Sequence, residues 1–306
     1  MKGAKMERLN ALFDLAREKG ARKVSIAGAA EKDILNAVET NRKAGILEAV
    51  LVGDKEDIAK IAGELELDLS NYEIVHEPNA KKQSLVAVDQ IHKGKAEVLV
   101  KGLVSTADYM RAVLHKKNGL QAGGLLSHVA VFDIPAYHKL LILTDAAVTI
   151  APGIPEKVKL IKNAVLCGKA IGLDLPKVAC VAAVEKVNPG KMPATTDAAL
   201  LSIMNKRGQI KGCIVDGPFG FDNAISKKSA ELKKIKGEVA GDADIILAND
   251  IETANVLYKS FNYFANAACG AIVLGASAPI VLTSRADDEK TKMASMVLGV
   301  LISHVM

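Results

Sequence analysis

The feature that most constrains this chain is an alternation of two patterns. Short β-branched runs occur at Lys23–Gly28, Ala49–Gly53, Val98–Lys101, Leu140–Leu143, Val178–Val184, Cys213–Val215, Asp244–Leu247, Ala271–Leu274 and Ile280–Thr283. Stretches with helical spacing separate them. Glu31–Ala44 places Ile34, Leu35 and Val38 on one face, and Pro155–Gly172 carries Val158, Leu160, Ile161, Val165 and Leu166 behind a proline start. Ala286–Val305 closes the chain in the same style. Strands that are apolar throughout need cover on both faces, and intervening helices supply it. The class is therefore α/β, with mainly parallel sheets covered by helices.

A chain of 306 residues has room for two lobes. Pro135 and its polar neighbours interrupt the pattern over His128–Lys139, which marks a boundary. Ile280–Arg285 reads as another strand-to-helix switch, so the last helix is expected to return to the first lobe. The expected division is residues 1–135 plus 281–306 in one discontinuous lobe and 136–280 in the other, with an active-site cleft between them.

Composition narrows the function classes. Aromatics are 4% and Trp is absent, so the core must be aliphatic. The balance of 40 basic and 35 acidic residues gives +5, spread along the chain without aromatic interleaving, which argues against nucleic-acid binding. The N-terminal MKGAKMERLNALFDLA reads as an amphipathic helix, not a signal peptide. No run approaches the ~18 apolar residues of a membrane span. Cys167, Cys180, Cys213 and Cys269 lie in apolar runs without CxxC spacing, as expected of reduced, buried thiols in a cytoplasmic protein. Dinucleotide, Walker, GxSxG, HExxH and EF-hand signatures are absent. The histidines show no ligand spacing, so no metal is expected.

Four polar clusters remain, each where a strand ends, which is where open α/β sheets bind ligands. In VLVKGLVSTADYMRAVL, Lys101-Gly102 ends a strand, and Ser105 or Thr106 then caps a helix. Helix N-termini attract anions, and Arg111 can lean back toward that end. In LLILTDAAVTIAP, Thr144 and Asp145 end a strand. In GCIVDGPFGFDNAIS, Asp216 ends a strand with Asp222 just beyond. In IVLTSRADD, Ser284 can cap the last helix, with Asp287 and Asp288 in its first turn beside Arg285. Each cluster also has an ordinary explanation as a cap, turn or solvated side chain. Only seven of the 40 basic residues are Arg, and Arg111 and Arg285 occupy strand ends. Arg holds phosphate bidentately, so this placement favours an anionic ligand.

Taken in order, GLVSTADYMRAVL, LTDAAVTIAP, VDGPFGFDNAIS with AGDADIILANDIETANVLYK, and the terminal SR pair resemble the phosphate acetyl/butyryl transferase family, most of all its butyryl-transferring branch. The likeness runs from about Val98 to the C-terminus. It implies a two-lobed fold like that of the isocitrate and isopropylmalate dehydrogenases. It implies reversible acyl transfer, most simply of a butanoyl group, between coenzyme A and inorganic phosphate, without a bound cofactor and in a homo-oligomer. It also implies that Ser284 and Arg285 handle the reacting carbonyl and phosphate and that Arg111 binds a substrate anion. The catalytic acid lies just past the Ser-Arg pair, where Asp287 and Asp288 are both candidates and Asp288 is preferred. The family's further arginine has no placed counterpart, and Lys101 is the candidate substitute.

Three other readings stay open on sequence alone. The acyl group could be acetyl or branched. A metal- and NAD-dependent decarboxylating dehydrogenase would use Asp216 and Asp222 on a cation. A non-catalytic acyl-CoA-binding protein would keep the cleft without the chemistry.

Overall fold

A computed structural model of the protein describes residues 8–283 and 287–306. The chain forms two compact units: Asn10–Gly124 with Gly270–Met306, the terminal unit, and Leu125–Cys269 with Arg8 and Leu9, the middle unit.

The terminal unit opens with α1 (Asn10–Lys19), followed by β1 (Arg22–Ala27), α2 (Lys32–Lys43), β2 (Leu47–Gly53), α3 (Lys55–Glu64), β3 (Glu73–His76), α4 (Ala80–His92), β4 (Val98–Lys101) and α5 (Thr106–Val113). Side-chain oxygens start several of these helices: Asp54 takes the Glu56 N–H, Asn79 the Lys81 N–H and Ser105 the Asp108 N–H. Such caps satisfy amides that a helix leaves unpaired.

The middle unit contains β5 (Ser127–Asp133), β6 (Leu141–Thr144), α6 (Ile154–Ala170), β7 (Lys177–Val181), α7 (Pro193–Lys206), β8 (Ile214–Phe219), α8 (Phe221–Ile225), α9 (Lys227–Leu232), β9 (Ile245–Leu247) and α10 (Ile251–Tyr263). Its strands lie in the order β5-β6-β9-β7-β8. They are parallel except that β5 runs antiparallel to β6. At the amino ends of these strands Lys139 bonds Asp244 at 2.6 Å and Lys177 bonds Asp242 at 2.6 Å. That charge cluster braces the end of the sheet opposite to the carboxyl ends of its parallel strands.

The chain then adds β10 (Ala268–Leu274), β11 (Ile280–Val281) and α11 (Glu289–Ser303) to the terminal unit. The strand order there is β3-β2-β1-β4-β11-β10, parallel except for β10 against β11. Val24, Ile26, Val50, Leu51, Leu99 and Val100 have no exposed surface. Gly299 lets α11 lie directly on the sheet: a Cβ there would meet the Val98 side chain at 2.7 Å. Lys292, 2% exposed, ties the same helix to the start of α2 through Glu31 at 3.1 Å and Asp33 at 2.9 Å.

Three expectations need correction. The His128–Lys139 stretch is not a break throughout, because its first residues belong to the buried strand β5. Asp216-Gly217-Pro218 does not end its strand: β8 runs on to Phe219, and as the sheet edge it can carry a proline that donates no hydrogen bond. The last helix starts at Glu289, so Asp287 and Asp288 precede it and do not form its first turn.

Candidate functional site

In the terminal unit the carboxyl ends of β1 and β4 come into direct backbone contact. Gly102 N–H donates to Ala27 O at 2.9 Å, and Leu103 N–H donates to Gly28 O at 2.7 Å. Only glycine fits at this crossing. A Cβ on Gly102 would lie 2.3 Å from Gly28 O, and Gly28 itself has φ +73° with Leu103 backbone at 2.8 Å from its would-be Cβ. The crossing fixes the loop that carries Lys101 and Ser105. Lys101 is 5% exposed, and its ammonium donates to Gly102 O at 3.3 Å.

Ser105 is the N-cap of α5, and Thr106 is the first helical residue. The Ser105 hydroxyl also donates to Asp108 at 2.7 Å, and the other Asp108 oxygen holds the Arg111 guanidinium. Ser105, then Arg111, hold the Asp108 carboxyl below the ordinary range. Arg111 thus stands in a short polar relay running from the helix start, with a side chain 72% exposed. A solvent-exposed pair of this kind is weakly held, so it leaves the guanidinium available to a stronger anion.

Sequence reading missed Tyr109. It has no exposed surface, and its hydroxyl donates to Val281 O at 3.2 Å. Burial pushes its phenol well above the ordinary value, so it acts as a neutral donor. The bond ties α5 to β11, the strand that leads through Thr283 to the Ser-Arg pair. The signal lay inside STADYMR, one position after Asp108. Ser284 and Arg285 themselves lie outside the described residues. Beyond them Asp288 is the N-cap of α11 and accepts the Thr291 N–H at 2.8 Å.

In the middle unit Thr144 is fully buried and donates to His128 O at 2.9 Å. Asp145 accepts from Ala147 N at 2.9 Å, Val148 N at 3.0 Å and Thr149 N at 3.0 Å. Its carboxylate therefore organises the loop after β6. Asp216 accepts from Gly217 N at 2.9 Å and Ser202 Oγ at 3.5 Å, whereas Asp222 faces Lys233 at 3.4 Å. Among the described residues no group of three or more His, Cys, Asp or Glu side chains could hold a metal ion.

Next to these strand ends lies a cavity of about 340 Å³. Val181, Ala182, Ala183, Ala194, Phe221 and Leu257 form its apolar lining, and Asn249, Asp250 and Thr253 form its polar side. Asn249 is held from behind by Lys157, which is 3% exposed and donates to Asn249 Oδ1 and to Asp197 Oδ2 at 2.6 Å each. In a chain with 40 basic residues no pattern singles out Lys157 as buried.

The four cysteines are buried and unpaired by disulfides. Burial pushes the Cys167 and Cys180 thiols up to about 12 and Cys213 up to about 11. None of these three is poised as a thiolate nucleophile. Among the described residues no helix is long and apolar enough to cross a membrane. The loop before α5 suits polar and anionic groups, and the cavity beside β7 and β9 suits a small apolar group.

Comparison with known proteins matches residues 70–300 to the family described as Phosphate acetyl/butaryl transferase. The chain is similar to a phosphate butyryltransferase of Clostridium acetobutylicum, with 47% identity over 294 residues, covering 96% of this chain and 97% of the relative. It is 41% identical to a phosphate acetyltransferase of Thermotoga maritima over 96% of this chain and 99% of that one. Its fold is similar to the crystal structure of a branched-chain phosphotransacylase from Enterococcus faecalis, with a TM-score of 0.82 and 31% identity, covering 92% of this chain and 99% of that one.

Proposed function

The chain belongs to the phosphate acetyl/butaryl transferase family, and on that premise we infer that it is an enzyme moving an acyl group between coenzyme A and inorganic phosphate. The products are acyl phosphate and free coenzyme A. The observation that carries this is 47% identity to a phosphate butyryltransferase over nearly the full length, joined to a strand edge where Ser105 and Thr106 start α5 and Arg111, in its last turn, bonds back to Asp108. Butanoyl is the proposed acyl group. Acetyl and branched chains form the second reading, favoured by the names of the Thermotoga and Enterococcus relatives.

Phosphate attacks the thioester carbonyl directly, in a ternary complex. Negative charge builds on the carbonyl oxygen, and Arg285 and Ser284 are proposed to stabilise it. Removing one donor of this kind typically costs about 3–4 kcal/mol of barrier. Arg111 holds the attacking phosphate once its exposed pairing with Asp108 gives way. Ser105 and Thr106 offer hydroxyls beside it, and Lys101 is assigned to a coenzyme phosphate. Thr144, Asp145 and Asp216 contribute by shaping the strand ends of the middle unit.

Coenzyme A leaves as thiolate, and Asp288 handles the thiol proton in the reverse direction. From an ordinary thiol near ~8.5 to an ordinary Asp near ~3.9, complete proton transfer is uphill by roughly 6 kcal/mol. Stabilisation of the thiolate by Arg285 or the start of α11 removes most of that need. The buried, high-pKa cysteines support direct transfer over an acyl-enzyme.

The same proposal includes kinship to the isocitrate and isopropylmalate dehydrogenase fold, a homo-oligomer, a cytoplasmic location, and acyl-CoA and phosphate as sole partners without a tightly bound cofactor. The test is thiol release from butyryl-CoA. It should require phosphate and give intersecting initial-rate lines when both substrates are varied. Parallel lines would indicate a covalent intermediate, and no phosphate requirement would overturn the assignment.

A further inference from the structure

We propose that the cavity beside β7 and β9 receives the acyl chain of the thioester, and that Ala183 and Ala194 set the longest chain it accepts. This rests on the acyl-transfer reading and adds the residues that choose the substrate.

Position is the first support. Val181 is the last residue of β7, and Asn249 and Asp250 follow the end of β9, so the cavity opens at the carboxyl ends of parallel strands. Ligands of open α/β sheets bind at that edge. Size is the second. At about 340 Å³ the cavity falls at the small end of the ~300–1,000 Å³ range of small-molecule sites. It holds a chain segment, not a whole nucleotide-bearing thioester.

Chemistry is the third support. Three of the lining residues are alanines, which leave room that larger aliphatic residues would fill. The polar side carries a carboxylate, Asp250, whose Oδ1 accepts the Thr253 N–H at 2.8 Å. Asn249 is oriented by the buried Lys157 and donates to Asp250 Oδ2 at 3.3 Å. The Thr253 bond helps hold the Asp250 carboxyl ionised, against the opposing effect of burial. A fixed negative group repels phosphate and carboxylate ligands. It tolerates a neutral hydrocarbon that rests on Ala183, Ala194, Phe221 and Leu257. The acyl chain is the neutral, apolar and variable part of the substrate.

The closing experiment measures kcat/KM for acetyl-, butyryl- and hexanoyl-CoA in wild type, Ala183→Leu, Ala194→Leu and Leu257→Ala. Ala183 and Ala194 both line the cavity, and as one is exposed and the other half-buried, neither substitution overpacks the core. A hydrophobic pocket distinguishes one methylene by about 10-fold or more. The butyryl-to-acetyl ratio should therefore fall at least 10-fold in the two leucine variants. Leu257→Ala should raise the hexanoyl-to-butyryl ratio by about fourfold or more, at ~0.8 kcal/mol per accommodated methylene. Leu257→Ala decides the matter if a leucine variant fails to fold.

Ratios within twofold of wild type overturn the assignment while leaving acyl transfer intact. An equal loss for every chain length also overturns it, because the cavity would then hold a part common to all acyl-CoA substrates. A wild type inert toward every acyl-CoA overturns the transfer reading itself and this inference with it.

Discussion

Replacing Gly102 with Ala should damage the site from a position that needs no contact with substrate. The new methyl would lie 2.3 Å from Gly28 O, where ordinary contact begins at 3.4 Å, so the two backbones must separate by 3.4 − 2.3 = 1.1 Å. β1 and β4 are paired in register up to Ala27 and Lys101, so the strands themselves resist the movement. The displacement falls on the loop from Gly102 to Ser105. Overpacking costs about 1–3 kcal/mol, and weakening the Gly102–Ala27 and Leu103–Gly28 hydrogen bonds adds up to about 1 kcal/mol each. The total is roughly 1–5 kcal/mol of stability, read from urea midpoints. Moving the start of α5 by about 1 Å displaces Ser105, Thr106 and Arg111 together, and such a shift can lower turnover by about 10²-fold. The assay is phosphate-dependent thiol release by folded Gly102→Ala protein. A variant that folds and keeps kcat/KM within threefold of wild type would refute the role of this crossing.

Gly63→Ala is the matched contrast: a Cβ there meets nothing within 4 Å, so α3 should gain about 0.5–1 kcal/mol in urea unfolding with no change in kcat. Asp288→Ala should lose about 1 kcal/mol as a missing N-cap, whereas Asp288→Asn keeps the cap. If Asp288 handles the thiol proton, both variants lose about 10²-fold or more in kcat, and full activity in the Asn variant would confine Asp288 to capping. A variant with all four cysteines replaced by Ala or Ser should keep its turnover in a folded sample, and lost turnover would point to a covalent thioester. Arg42, opposed by burial and aided by Tyr72 and Lys43, holds the Glu39 carboxyl down to about 2 from an ordinary 4.5. Its ionised form therefore stabilises the fold above about pH 4.5. That contribution fades as pH drops toward 2, so Glu39→Gln should flatten the acid limb of urea midpoints across this window.

Most of the sheet was legible because its strands are buried on both faces and read as continuous apolar runs, as Leu99 and Val100 illustrate. β3 escaped because Glu73–His76 is only half-buried, starts at the acidic Glu73 and has just two apolar residues between polar ends. β5 escaped because Ser127, His128 and Asp133 interrupt its hydrophobicity, although its antiparallel partner β6 supplies the pairing. The Asp216-Gly217-Pro218 turn signal failed because an edge position accepts proline without breaking the strand. At the candidate site, Ser105 as a cap followed from residue type and spacing alone. The Asp108 link between Ser105 and Arg111 did not, since it depends on the rotamers of three side chains. Lys157 and Tyr109 were invisible for a similar reason: their partners lie 92 and 172 residues away. Asp288 was chosen from the likeness of the SRADD segment, and its capping geometry adds a structural duty that spacing had placed on Ser284.

The most direct test of acyl transfer to phosphate is product stoichiometry. Wild-type protein is incubated with butyryl-CoA and inorganic phosphate, free thiol is titrated, and acyl phosphate is trapped with hydroxylamine. One acyl hydroxamate per thiol released, with both falling together in Arg285→Ala, is the predicted result. Thiol released with free butyrate in place of the acyl phosphate, or at an unchanged rate without phosphate, would contradict it.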